Sequence, residues 1–219
     1  MVQYRSLAIA AFLALATAAP LTAQIQSWQR QWYWGAKGGM QQITLPTVGR
    51  VNDATAGGEW MITGMRAALY AGYSTTFTQR GDNFSFSTVQ GTLVPVVWDA
   101  LQRIQIGIVV FPINGPIQPY AGGGFVIETL SNAQVNPTNT LTQSQLLAAT
   151  RFISAHGSGG FALVMGGLQI RLGKAAVFGQ AQLSPQGRDF ILPNSAVTLE
   201  FGLRYAFLGA REEDVTTRR

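Results

Sequence analysis

Apolar and polar residues alternate one by one along much of this chain. In LEFGLRYAF (199–207), Leu199, Phe201, Leu203, Tyr205 and Phe207 share one parity, and Glu200, Gly202, Arg204 and Ala206 share the other. A period of two puts successive side chains on opposite faces, which marks a β-strand. The pattern recurs at 32–41, where Trp32, Trp34 and Met40 oppose Tyr33, Lys37 and Gln41. It recurs again at 66–77, 103–111, 118–128, 168–172 and 177–183. The run FSFSTVQGTLV (84–94) has no clear phase and reads as a strand with a bulge or bend. Together these predict eight strands.

Two kinds of connection separate them. TQRGDN (78–83), FPINGPI (111–117) and RLGKA (171–175) are short and rich in Gly, Asn or Pro, as tight hairpins require. The segments 45–58, 131–157 and 184–196 are longer and polar, and 95–101 is intermediate. Within the longest, LTQSQLLAATRFI (141–153) reads first as an extension of the next strand, with a short helix as the alternative. Short turns on one side and long loops on the other predict an all-β fold: an eight-stranded antiparallel up-and-down transmembrane β-barrel with three long loops on one side of the membrane. No later segment holds the roughly 18 consecutive apolar residues of a spanning helix.

The orientation of the two faces follows from charge. Charged residues make up 11% of the chain, less than half the usual ~25%, so little charge is available for a water-facing surface. The polar parity carries Lys37, Arg66, Arg103, Glu128, Arg171, Glu200 and Arg204, while the apolar parity carries almost no polar group. Glycine is frequent on the polar side, where small residues relieve crowding in a narrow lumen. Trp32, Trp34, Trp60, Tyr73, Phe77, Phe111, Tyr205 and Phe207 gather near strand ends, where interfacial girdles belong. Lipid therefore faces the apolar parity, and a soluble lipocalin-like periplasmic barrel is the alternative.

The alternating strands, PYAGGGF (119–125) and the final LEFGLRYAF together resemble the small eight-stranded outer-membrane barrels of the OmpA, OmpX and OmpW type. The resemblance implies a bacterial outer-membrane location, contact with lipid and lipopolysaccharide, and insertion by the barrel-assembly machinery. It also implies that Phe207, with Tyr205, is the terminal aromatic signal that machinery reads. An OmpW-like barrel would be a narrow channel for small solutes.

An eight-stranded barrel is just wide enough to be filled by side chains, and isolated buried charges are costly. The seven charged positions are therefore expected to form a lumen network, with Glu128 and Glu200 each shared among several of Arg66, Arg103, Arg171 and Arg204. The role this predicts is structural or interaction-based, through the long loops or the C-terminal tail, and not enzymatic. One motif argues otherwise. His156-x-Ser158 resembles the catalytic pair of the lipid A 3-O-deacylase barrels, but position 159 is Gly where that family has Asn, and no acid lies between Glu128 and Asp189. With no cysteine and one histidine, no cofactor or metal is expected. The net charge of +5 comes from scattered arginines without a basic run, so no nucleic-acid partner is expected.

The N-terminus reads as an export signal. Arg5 is followed by an apolar stretch over 7–21 and a cleavage site after Ala23. The expected organisation is a signal peptide at 1–23, a barrel at 24–208 and a charged periplasmic tail at 209–219.

Overall fold

The computed structural model describes residues 31–85, 93–113, 115–136, 141–187, 190–192 and 194–209. The expected export signal and the tail beyond Gly209 lie outside the described residues. In chain order the elements are β1 (Gln31–Leu45), β2 (Gly49–Thr63), β3 (Ala67–Thr76), β4 (Arg80–Ser85), β5 (Leu93–Trp98), β6 (Ala100–Val110), β7 (Ile117–Ser131), β8 (Gln134–Val135), helix α1 (Gln143–His156), β9 (Ser158–Leu172), β10 (Ala175–Pro185) and β11 (Ser195–Gly209).

Strands β1, β2, β3, β6, β7, β9, β10 and β11 close an antiparallel barrel, each paired with its neighbour along the chain, with β1 closing against β11. Closure leaves none of these strands with an open edge, the condition for a sheet to sit in lipid. The expected parity holds around the wall. Trp34, Leu69, Ile106, Phe125, Val164, Phe201 and Leu203 point outward and are exposed, while Lys37, Gln41, Gln105, Gln118, Gln169 and Glu200 point inward and are buried.

The connections correct the sequence reading in several places. Residues 45–58, expected as a loop, are mostly strand: only Pro46–Val48 turn, and Gly49 at φ +83° begins β2. A left-handed backbone here suits glycine. GRVNDATAGG resembles a loop because its outward positions are small and its inward ones polar, yet β1 and β3 pair with it on both sides. Conversely, 84–94 is no barrel strand. Its described ends belong to β4 and β5 of the long β3–β6 connection, which form a separate three-stranded sheet with β8 of the β7–β9 connection. The run 141–153 is helical, not a strand extension. Thr142 caps α1 by accepting from the Gln145 amide, and the Gln145 side chain returns a bond to the Thr142 amide; this capping box satisfies donors otherwise orphaned at a helix start.

One end of the barrel carries only short turns, at 64–66, 111–116 and 173–174, the last with Gly173 at φ +67°. The other end carries the three-residue turn 46–48 and a folded cap. There Phe84, Val94, Val96 and Trp98 of the small sheet, Ala149 and Ile153 of α1, and Phe190, Ile191 and Leu192 pack onto Ile43, Leu45, Leu101 and Leu130 of the barrel rim. Phe84 and Val94, at the two ends of the 84–94 run, and Val96 and Trp98 beyond it are hidden in this core instead of facing lipid.

Candidate functional site

The inward side chains of the barrel form a stack of levels. Nearest the short turns, Tyr33, Met61, Ala68, Val109 and Phe111 make an apolar floor with Tyr120. Phe111 was expected in the outer girdle, but its ring is fully buried and lies 5.4 Å from that of Tyr120. It is the first residue after β6, where the chain folds in beneath the lumen. Arg171, half-buried, sits beside Tyr33 at this level.

The next level holds Arg204. Its guanidinium is ion-paired with Glu59, donates to Gln169 Oε1 at 2.8 Å and to the Tyr120 hydroxyl at 3.3 Å, and lies 3.8 Å from the centre of the Phe178 ring. Above it, Lys37 Nζ donates to Glu200 Oε2 (3.0 Å), Gln105 Oε1 (2.7 Å) and the Tyr70 hydroxyl (3.0 Å). These three bonds use every ammonium proton. Glu200 Oε2 also accepts from Gln180 and Gln182. At the level nearest the cap, Arg103 Nε donates to Glu128 Oε1 at 3.1 Å, and its Nη1 reaches Thr198 Oγ1 on β11 at 2.6 Å. Ser184 donates to the same carboxylate oxygen. The side chains of Lys37, Glu200, Arg103 and Glu128 are wholly shielded from solvent.

The charges pair one to one, Lys37–Glu200, Arg103–Glu128 and Arg204–Glu59. Two corrections follow. Arg66 lies in the 64–66 turn and is exposed, outside the lumen, because the inward parity of β3 begins only at Ala68. Glu59 is the third lumen anion and was passed over at the edge of a supposed loop; its parity with Met61, opposite Trp60 and Ile62, was the available signal. Beside the cap, Arg80 forms a further pair with Asp53.

Inward glycines clear the space for these groups. A Cβ at Gly72 would come within 2.6 Å of Gln105 Oε1 and 3.1 Å of Lys37 Nζ. One at Gly202 would meet the Phe178 ring at 2.7 Å. The resulting lumen is filled by polar side chains, many of them bonded to one another across the barrel.

His156 ends α1. Its ring stacks on Phe152 at 4.0 Å and Nδ1 contacts the Phe152 carbonyl at 2.9 Å. No hydrogen bond joins it to Ser158, which is exposed at the start of β9. A nucleophilic serine needs a base within about 3 Å, so this pair lacks that arrangement.

On the outer wall, Trp32 meets Trp60 edge-on at 5.5 Å, Trp34 lies 6.4 Å from Trp60, and Tyr205 meets Phe207 at 5.1 Å. All five rings belong to the short-turn end of the barrel. Between this aromatic band and the cap the wall is apolar, with Ile104, Ile106, Ile108, Phe125, Leu168 and Leu199 exposed. Such a surface, on a barrel with a polar interior, belongs in a bilayer.

No family model and no curated protein matches the chain. Solved structures do match. Neisserial surface protein A aligns over 80% of this chain and 97% of its own, with a TM-score of 0.54 at 12% identity. Ail, the attachment invasion locus protein of Yersinia pestis, solved with the heparin analogue sucrose octasulfate, aligns over 82% and 99%, with a TM-score of 0.50 at 12% identity. The chain has the fold of a small eight-stranded outer-membrane β-barrel. In such barrels the short turns lie in the periplasm and the longer connections outside the cell. The aromatic band of this outer-membrane barrel lies at its short-turn end and the folded cap at the opposite end.

Proposed function

We propose that this outer-membrane barrel is a closed, non-enzymatic anchor that holds a folded interaction surface outside the cell. The observation that carries the reading is the vertical series of three buried ion pairs, each bridging strands of the wall, above an apolar floor. A conducting path needs continuous water, and every level is crossed by side chains bonded to one another. The cap supports the second half of the reading. It has an apolar core built on the barrel rim, and its helix turns Leu146, Leu147 and Arg151 outward. A solvated loop needs no such core, whereas a surface that must keep its shape for a partner does. The partner is taken to be a protein or cell-surface molecule meeting this cap.

Planar-bilayer recording on the purified, folded protein tests the closed lumen. The expected trace is flat, and reproducible single-channel steps would establish the narrow channel instead. Lipid A from cells expressing His156→Ala or Ser158→Ala is expected to match wild type, and altered acylation would overturn the non-enzymatic reading.

A further inference from the structure

Between the Lys37 level and the apolar cap, several inward side chains carry buried polar atoms without partners. Thr198 on β11 has Gln41 of β1 beside it on one side and Gln182 of β10 on the other. Thr55 on β2 lies diagonally across from Gln41, its backbone opposite Gly39. Glu200 is the next inward residue along β11. Arg103 enters from the far wall, with Nη1 on Thr198 Oγ1. Among the described residues, Gln41 Nε2 and Oε1, Thr55 Oγ1, Arg103 Nη2, Gln182 Oε1 and Glu200 Oε1 have no hydrogen-bond partner. All five side chains belong to residues no more than 4% exposed. Above Gln41, the next inward positions of β1 are Ile43 and Leu45, part of the cap core. Below it, Gly39 packs against the β11 backbone, where a Cβ would come within 1.9 Å of the Leu199 carbonyl oxygen.

Six unpaired buried polar atoms are costly, at about 1–3 kcal/mol each. Buried polar groups in native proteins are almost always satisfied, by protein or by ordered water. The chemistry of this set selects what satisfies it. A cation would sit against the free guanidinium nitrogen of Arg103, and an anion against the free carboxylate oxygen of Glu200. Gln41 and Thr55 present both donors and acceptors. The complement is small, uncharged and able to donate and accept at once.

We propose that the lumen encloses a bound water cluster, held by Gln41, Thr55, Arg103, Gln182 and Glu200 and sealed between the Lys37–Glu200 pair and the extracellular cap. At about three hydrogen bonds per buried water, six open atoms call for roughly two waters or more. These waters join the arginine level to the lysine level and make one continuous network of the whole polar lumen.

The test is water-selective NMR on the full, folded protein in detergent micelles, reading the side-chain amides of Gln41 and Gln182. Direct cross-relaxation from water to both amides is expected. In a Gln41→Leu, Thr55→Val variant the Gln182 cross-peak is expected to be lost; wild type carries the test if that variant does not fold. Gln41 contacts running only to protein protons, with no water signal, would overturn the proposal. So would movement of either amide resonance when potassium is replaced by lithium, or chloride by sulfate, since the occupant would then be an ion. A barrel that conducts in bilayers and still shows these slow waters would sink the closed-lumen reading while leaving the chamber standing.

Discussion

Arg204 on β11 and Glu59 on β2 form their ion pair across an intervening strand, passing over Gly35 of β1. Gly35 is in register with Arg204 on one side and Glu59 on the other. A Cβ there would come within 2.9 Å of both Glu59 Cγ and the Leu203 carbonyl. The backbone carbonyl cannot swing aside as a flexible side chain can. The pair therefore depends on a missing side chain at a third residue. Gly35→Ala is expected to destabilise the barrel by about 1–3 kcal/mol, the usual cost of overpacking. Urea unfolding of the refolded protein checks this. Gly160, around whose Cβ position nothing lies within 4 Å, is the control, and Gly160→Ala should leave the midpoint unchanged.

The same pair should show strong coupling. Removing one partner of a buried ion pair leaves the other charge unpaired and costs about 3–5 kcal/mol, whereas replacing both is often close to neutral. Arg204→Met and Glu59→Gln are each expected to lower stability by that order. The double variant is expected to recover much of the loss, as a double-mutant cycle would measure. Simple additivity would mean that Arg204 is held chiefly by Phe178, Tyr120 and Gln169.

The cap and the barrel should separate under a core mutation. Trp98 is 1% exposed in the cap core, with its ring 6.2 Å from that of Phe84. Trp98→Ala removes a large buried side chain, at a cost of about 3–5 kcal/mol. That loss is expected to fall mainly on the cap, because its core meets the barrel at rim residues such as Ile43, Leu45, Leu101 and Leu130 and lies apart from the buried lumen cluster. Protease added to intact cells should cut the variant within 77–99 or 132–157 much faster than wild type. The barrel fragments should stay folded and shift on heating in gels. Loss of the barrel itself would show that cap and barrel fold as one unit.

How much of this was legible depended on which solvent each face meets. Where lipid lies on one side and the packed lumen on the other, parity alone placed Lys37, Arg103, Glu128, Glu200 and Arg204 on the inside. Strand β2 was not legible because Ala54, Ala56 and Gly58 put small residues on its lipid face, and Asn52, Asp53 and Gly57 are turn formers by composition. The hydrogen bonds of β1 and β3 override that local preference. The 84–94 run misled in the opposite sense. It was apolar enough to read as a barrel strand despite its unclear phase, but a third environment, the cap core, takes Phe84 and Val94, with Val96 and Trp98 beyond them. A period of two reports two faces and does not say what covers them.

At the last strand the register with β1 shifts: Trp32 stands opposite Leu208 and Tyr33 opposite Ala206, so Phe207 is the extra residue of a bulge. Phe207 is 62% exposed and packs only edge-on against Tyr205 among the rings around it. Its loss should cost the finished barrel little. If it serves as the assembly signal, Phe207→Ala should lower the amount of heat-modifiable barrel in cell envelopes several-fold, while refolding of the purified chain into detergent stays close to wild type. Equal losses in both assays would make Phe207 a stability residue of the girdle and not a signal.

The orientation of the wall yields the sharpest contrast. Ile106 is 62% exposed midway along β6, next to Phe125 of β7 and Ala71 of β3. Arginine on the lipid face near the bilayer midplane costs about 2–4 kcal/mol, and the cost falls towards the interfaces. Ile106→Arg is expected to lower stability by that amount in lipid vesicles. Arginine in place of Phe77, 67% exposed just beyond β3 at the cap end, should cost about 1 kcal/mol or less. The comparison depends on depth, since both sites are exposed and both gain the same charge. In a soluble barrel the two substitutions would be equally mild. A large penalty at Ile106 alone requires that hydrocarbon, and not water, surrounds the middle of this barrel.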